Sequence, residues 1–131
     1  MITIINSQLN NESIAALNNL IEMDIKAGVA FKLMRIIKEI SSLVDDKLEM
    51  EKKILEKWIQ RDDFGNPIPV IENEVIVPGA VKIRDMQTFQ SEMNSLLNAE
   101  TVLNHAKINF NDLGLDTIKV KDLMKIDFIF E

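Results

Sequence analysis

The chain has 131 residues, 47% of them apolar and 27% charged, which suits one folded domain with its own core and excludes wholesale disorder. A formal charge of -6 argues against a broad nucleic-acid surface, because neutralising phosphates needs clustered Lys and Arg. With no cysteine in the chain, disulfides and thiolate metal sites are excluded.

The opening stretch MITIINSQLNNES lacks the basic start and long apolar core of a signal peptide. No apolar run approaches the ~20 residues of a membrane span. These features predict a soluble protein inside the cell. The β-branched run at 2–5, ITII, predicts a short strand tied into a sheet that forms later in the chain. A helix is then expected from Asn10 or Asn11 to Met23, with Ile14, Leu17, Leu20 and Ile21 on its apolar face.

Asp24 is a candidate cap for a second helix. Between Ile25 and about Arg61 there is no proline and only Gly28 among the glycines, so one long helix is predicted. At 1.5 Å per residue it would span roughly 50 Å, against a radius of gyration of ~14 Å for a compact chain of this length. Such a helix outgrows its own domain. Its first half is densely apolar (Val29, Phe31, Leu33, Met34, Ile36, Ile37, Ile40, Leu43, Val44) and is expected to be buried on several sides. Its second half thins to a stripe. Ile37, Val44, Leu48, Leu55 and Trp58 approximate heptad steps, interrupted by Glu51. Two readings stay open there: a seam inside the molecule, or a surface for a partner or a second copy. In the second reading Leu48, Lys52, Leu55, Trp58 and Ile59 are the partner-binding candidates, with Trp58 as hot spot because large aromatics dominate such sites.

After Arg61 the sequence DDFGNPIPV ends the helix. Its two prolines forbid continuation and its Gly-Asn pair permits a turn on which Phe64 packs. Short strands are expected around a Pro78-Gly79 turn, with Val75, Val77, Val81 and Ile83 half-buried. A third helix should follow, capped by Asp85 and ended by Asn98, with Met86, Phe89, Met93, Leu96 and Leu97 on one face. TVLNHAKINF alternates as a strand burying Val102, Ala106 and Ile108, which leaves His105 on the surface. The end, VKDLMKIDFIFE, predicts a short helix and an apolar tail docked on the core.

No constellation of chemistry emerges. The triplet DFG at Asp63-Phe64-Gly65 lacks the Gly-rich loop, strand lysine and catalytic loop of a kinase, and the ligand spacing of a calcium loop is missing. Asp45 and Asp46 point about 100° apart on a helix and cannot form one acid–base pair. A single histidine makes neither a triad nor a zinc site. Lys52, Lys53, Lys57 and Arg61 form a modest basic stripe, an alternative site for an anion or nucleotide. Catalytic, cofactor and metal residues are therefore all assigned as none.

IKAGVAFKLMRIIKEI, EMEKKILEKW leading into RDDFGNP, then FQSEMNSLLNAETVLN and the closing VKDLMKIDFIFE together resemble a family of small proteins of tailed bacteriophages and prophages. That family shows a long charged helix, an Asp-x-x-Gly-Asn turn, a helix ending in Leu-Leu-Asn-x-Glu and a C-terminal Asp-Leu-x-x-hydrophobic-Asp/Glu-Phe. The resemblance covers most of the chain, apart from the extra segment PIPVIENEVIVPG. It implies phage origin and brings no catalytic residues.

The expectation is thus one α+β domain over 1–131. An N-terminal strand and helical hairpin (1–61) pack on a small, mainly antiparallel sheet with a third helix (62–131). The expected function is non-enzymatic protein–protein interaction, as a virion or assembly component or a self-associating accessory factor, in the host cytoplasm or the virion. The alternatives are an inhibitor of a bacterial host defence or replication enzyme, or a small-ligand sponge. The expected partner is a phage or host protein, or a second copy. Neither a cofactor nor a membrane is expected, and the acidic balance disfavours nucleic acid.

Overall fold

The computed structural model describes residues 1–115 and 117–131. The chain is mixed α+β. In order it forms β1 (Ile2–Ile5), α1 (Asn11–Ile21), α2 (Ala27–Trp58), β2 (Pro69–Glu72), β3 (Val75–Val81), α3 (Met86–Asn98), β4 (Glu100–Leu103) and α4 (Val120–Ile126), with short 3-10 turns between them. Two two-stranded antiparallel sheets form, β1 with β4 and β2 with β3, in place of the one sheet expected. The chain divides into two compact units, residues 1–47 with 97–131, and residues 48–96. The divisions fall within α2 and near the end of α3.

The first unit holds the core. In β1, Ile2 and Ile4 turn inward and pair in register with Leu103 and Thr101 of β4. Asn10 caps α1, its Oδ1 accepting from Ser13 N–H at 2.9 Å, so one of the helix's unpaired amides is satisfied. Ser13, Ala16, Leu17 and Leu20 recur at helical spacing on the buried face. The buried Ser13 hydroxyl donates to the Lys125 carbonyl at 3.2 Å and so fastens α1 to α4. In α2 the buried residues are Leu33, Ile36, Ile40 and Val44, a single stripe. Phe31, at 63% exposure, and Met34, at 48%, face solvent. The expectation of burial on several sides fails because apolar density and burial are different things: one stripe joins the core cluster, flanked by the partly buried Val29, Ile37 and Leu43, and the opposite side faces solvent.

The tail docks as expected. Ile126, Ile129 and Phe130 are buried. Ile108 N–H donates to Ile129 O at 2.8 Å, Glu131 N–H donates to Ile108 O at 3.0 Å, and Phe110 meets Phe130 edge to face at 5.7 Å. The strand expected through 110 stops at Leu103, and its inward face is the opposite one. Leu103 is buried and Val102 is exposed, because pairing with Ile2 and Ile4 fixes which side of β4 meets the core. His105 therefore turns inward. Its side chain is only 13% exposed and its Nε2 lies 2.6 Å from Glu39 Oε2.

The second unit begins within α2, which runs unbroken past Asp45 and Asp46 from Ala27 to Trp58. It starts later than Asp24 would cap, since the first helical residue is Ala27. The turn after Arg61 is built on Asp62, whose Oδ1 accepts from Phe64 N–H at 2.9 Å and Asn66 N–H at 3.0 Å. Gly65 takes φ +81°, a left-handed conformation open to glycine at no steric cost. Phe64 does not pack; it is 89% exposed, at the tip of a turn whose Phe64 and Asn66 amides fold back onto Asp62. The hairpin β2–β3 turns at Asn73 (φ 52°) and Glu74 (φ 67°), the tight turn whose twist suits a hairpin, rather than at Pro78-Gly79. Those two residues lie inside β3. The pairing changes register between Ile71↔Ile76 and Pro69↔Val81, so Pro78 and Gly79 (φ +75°) occupy a bulge where a missing N–H and a left-handed residue are tolerated. Val75 is exposed rather than half-buried.

Candidate functional site

The densest set of side-chain interactions in the second unit centres on Trp58. The indole Nε1–H donates to Glu92 Oε2 at 2.7 Å, and Lys57 Nζ donates to the other oxygen, Glu92 Oε1, at 2.8 Å. Lys57 Nζ and Arg84 Cζ lie 5.2 and 5.1 Å from the indole ring centre, within cation–π range. Arg84 also donates to the Lys57 carbonyl. Its position is set by the backbone: Arg84 N–H donates to Trp58 O at 2.7 Å and Ile59 bridges to Ile83. The last turn of α2, the segment after β3 and α3 thus converge on one ring. Asp85 caps α3 as expected, its two oxygens accepting from Thr88 N–H at 3.1 Å and Thr88 Oγ1–H at 2.7 Å.

Both acids titrate below their usual range. The Thr88 hydroxyl and amide hold the Asp85 carboxyl down. For Glu92 the causes are Lys57 first and the Trp58 indole second, both hydrogen-bonding its charged form. A depressed carboxylate stabilises the fold above its unfolded value and ceases to do so as pH falls through the folded one. Trp58 is the chain's only tryptophan and there is no tyrosine, so its emission reports this contact directly. Wild-type Trp58 emission is expected to change as pH falls below the ordinary glutamate value of 4.5, and Glu92→Gln is expected to abolish that step. A step of the same size in Glu92→Gln would place its origin elsewhere.

Beside this cluster lies an open groove of about 480 Å³, lined on α2 by Met50, Lys53, Ile54 and Lys57 and on α3 by Ser91, Glu92, Ser95 and Leu96. The basic stripe largely meets internal partners: Lys53 Nζ is 3.8 Å from Glu49, Lys57 is held by Glu92 and Arg61 Nη1 donates to Gly65 O at 2.9 Å. Leu48, Lys52 and Leu55, at i, i+4 and i+7, share a different face of the helix from Met50, Lys53, Ile54 and Lys57. Leu48 is 52% and Leu55 37% exposed.

The five partner-binding candidates therefore separate. Leu48, Lys52 and Leu55 form an exposed strip, whereas Trp58 and Ile59 are half-buried within the unit. Glu92 and Arg84 were not foreseen. Glu92, a charged residue on a helix with many polar positions, reads as a solvated helix residue until the approach of Lys57 and Trp58 is known. Among the described residues no cluster of three or more His, Cys, Asp or Glu could hold a metal, and no helix is long and apolar enough to cross a membrane. Comparison with known protein families, with curated proteins and with solved structures finds no match.

Proposed function

We propose that this chain is a non-enzymatic protein–protein interaction protein that docks through residues 48–96. One observation carries the reading. Every buried residue lies in the first unit, and among the described residues of 48–96 none is buried. Yet Leu48, Met50, Leu55, Phe64, Ile71, Val75, Ile76 and Met86 stand exposed there. Apolar side chains gathered on a part of a chain that has no core of its own mark a surface that becomes covered by a partner. The Trp58–Glu92–Arg84 cluster holds that part in one shape, which lowers the ordering cost of binding. Phage origin, as a virion or assembly component in the host cytoplasm or the particle, rests on the sequence resemblance. An inhibitor of a host enzyme is the same surface with a different partner.

The test is capture by the full chain against Leu48→Asp/Leu55→Asp, in lysate of infected cells, followed by binding of the purified captured protein. Loss of at least tenfold in affinity on the double substitution is expected, since burying two leucines contributes about 3 kcal/mol or more. Equal retention by both chains would remove the α2 strip from the surface. Mass spectrometry of purified particles separates the virion component from the host-directed factor. The groove with Lys53 and Lys57 favours a second reading, a small-ligand sponge, which predicts a rise in melting temperature with nucleotides.

A further inference from the structure

A two-stranded hairpin is at best marginally stable in water, and it leaves a row of backbone groups open on each outer edge. In the hairpin β2–β3 the outer edge of β3 continues past the strand. Lys82 sends both of its backbone groups toward the rest of the unit: its N–H donates to Ile68 O at 2.8 Å and its carbonyl accepts from Gln60 N–H at 2.9 Å. Arg84 sends its N–H the same way, to Trp58 O. Alternation along an extended chain then turns the backbone groups of Val81 and Ile83 outward. At the other end of β3, Val75 and Ile76 are among the exposed apolar residues, Ile76 at 59%. The bulge at Pro78-Gly79 splits this edge into two short stretches, 75–77 and 81–83.

The charges on the edge are polarised. Glu72 and Glu74 sit at the hairpin turn and Lys82 at the opposite end. Among the described residues, none of the three has an ion-pair partner within the chain. We infer that the occupant of this edge is a second copy of the chain, added antiparallel along β3 about a two-fold axis near Pro78-Gly79. This rests on the docking reading above and assigns a second copy to a separate edge of the same part of the chain. Antiparallel addition sets stretch 75–77 of one copy beside 81–83 of the other, twice. It brings the acidic turn of each copy to the Lys82 end of its mate. Parallel addition would set like charge on like, and is disfavoured. The two-fold engages both stretches of each edge with the same mate, so the edge is consumed by one mate. The assembly closes as a dimer rather than growing into a fibre.

The experiment is molar mass by light scattering on the full chain, over a concentration series at low and moderate salt. The wild type is expected to be a dimer that weakens with added salt. Glu74→Lys and Lys82→Glu are each expected to weaken it about tenfold, because each opposes like charges twice. Mixing the two variants in equal amounts restores a heterodimer, in which Lys faces Glu at both ends. That recovery cannot come from misfolded chains. A wild-type monomer at tens of micromolar would overturn the second copy as occupant while leaving capture of another protein through Leu48 and Leu55 intact. A dimer indifferent to both variants and to their mixing would overturn the β3 edge as the interface.

Discussion

Ile36→Ala is expected to destabilise the protein by about 2–5 kcal/mol, the range for truncating a fully buried aliphatic side chain. Ile36 has no exposed surface, and Leu33 and Ile40, one turn before and after it on α2, have none either. The same core contains Ile2 and Ile4 of β1, Leu17 and Leu20 of α1, and Ile126 and Ile129 at the C-terminal end. Truncation leaves a cavity that these neighbours must collapse to fill, and elements from both ends of the chain limit how far they can move. At this chain length each kcal/mol lowers the melting temperature by ~4 °C, so a drop of about 8–20 °C is expected in thermal unfolding followed by helix signal. Phe64→Ala is the control. It removes a larger side chain that is 89% exposed, and a surface substitution stays within about 0.5 kcal/mol. Equal drops for the two would mean that Ile36 is not enclosed as described.

The elements that were legible in the sequence are those whose signal is local. The helix start near Asn10 or Asn11, the proline-free run that becomes α2, Asp85 as a cap and the apolar tail all depend on residues within a turn or two of one another. What was not legible depends on distant pairing. Which face of β4 points inward is decided by β1, about a hundred positions earlier, and alternation alone offers two equivalent answers that differ by one residue. The hairpin turn was misplaced for a related reason. Pro-Gly is the stronger turn signal in composition, but Asn73 and Glu74 both adopt left-handed conformations, which lets Pro78-Gly79 serve as a bulge instead.

The candidate site divides in the same way. Leu48, Lys52 and Leu55 could be placed on one face by helical spacing, and they are exposed together. Trp58 was singled out for its size, yet its role turns on Glu92 in α3 and Arg84 after β3, residues that carry no mark in the sequence. A glutamate on a polar helix face and an arginine after a strand are the commonest of surface residues. The Ile59↔Ile83 bridge and the bonds of Arg84 to the Trp58 and Lys57 carbonyls, all between residues distant in sequence, bring Arg84 to the ring.

That cluster makes Trp58→Ala the second substitution with a large expected effect, and one confined to a region. It deletes the Nε1–H bond to Glu92 and the ring lying 5.2 and 5.1 Å from Lys57 and Arg84. The backbone bond from Arg84 N–H to Trp58 O remains. A half-buried indole with two cations against it contributes less than a core tryptophan, so a loss of about 1–3 kcal/mol is expected. In hydrogen exchange this is roughly five- to 150-fold faster opening, read at the amides of Gln60, Lys82 and Arg84. The residues named in these contacts all lie within 48–96, so protection in β1 and β4 should be unchanged. Trp58→Phe separates the two contributions, since it keeps an aromatic face for the cations and loses the bond to Glu92; its effect should be intermediate. Were Trp58 instead an anchor for a partner, Trp58→Ala would leave exchange unaltered and weaken binding alone. Leu48→Asp/Leu55→Asp is expected to do the reverse of Trp58→Ala, because those side chains touch solvent on the free chain: binding falls while exchange at Gln60, Lys82 and Arg84 holds. Those two outcomes together would separate a binding face of α2 from a last turn that braces the unit.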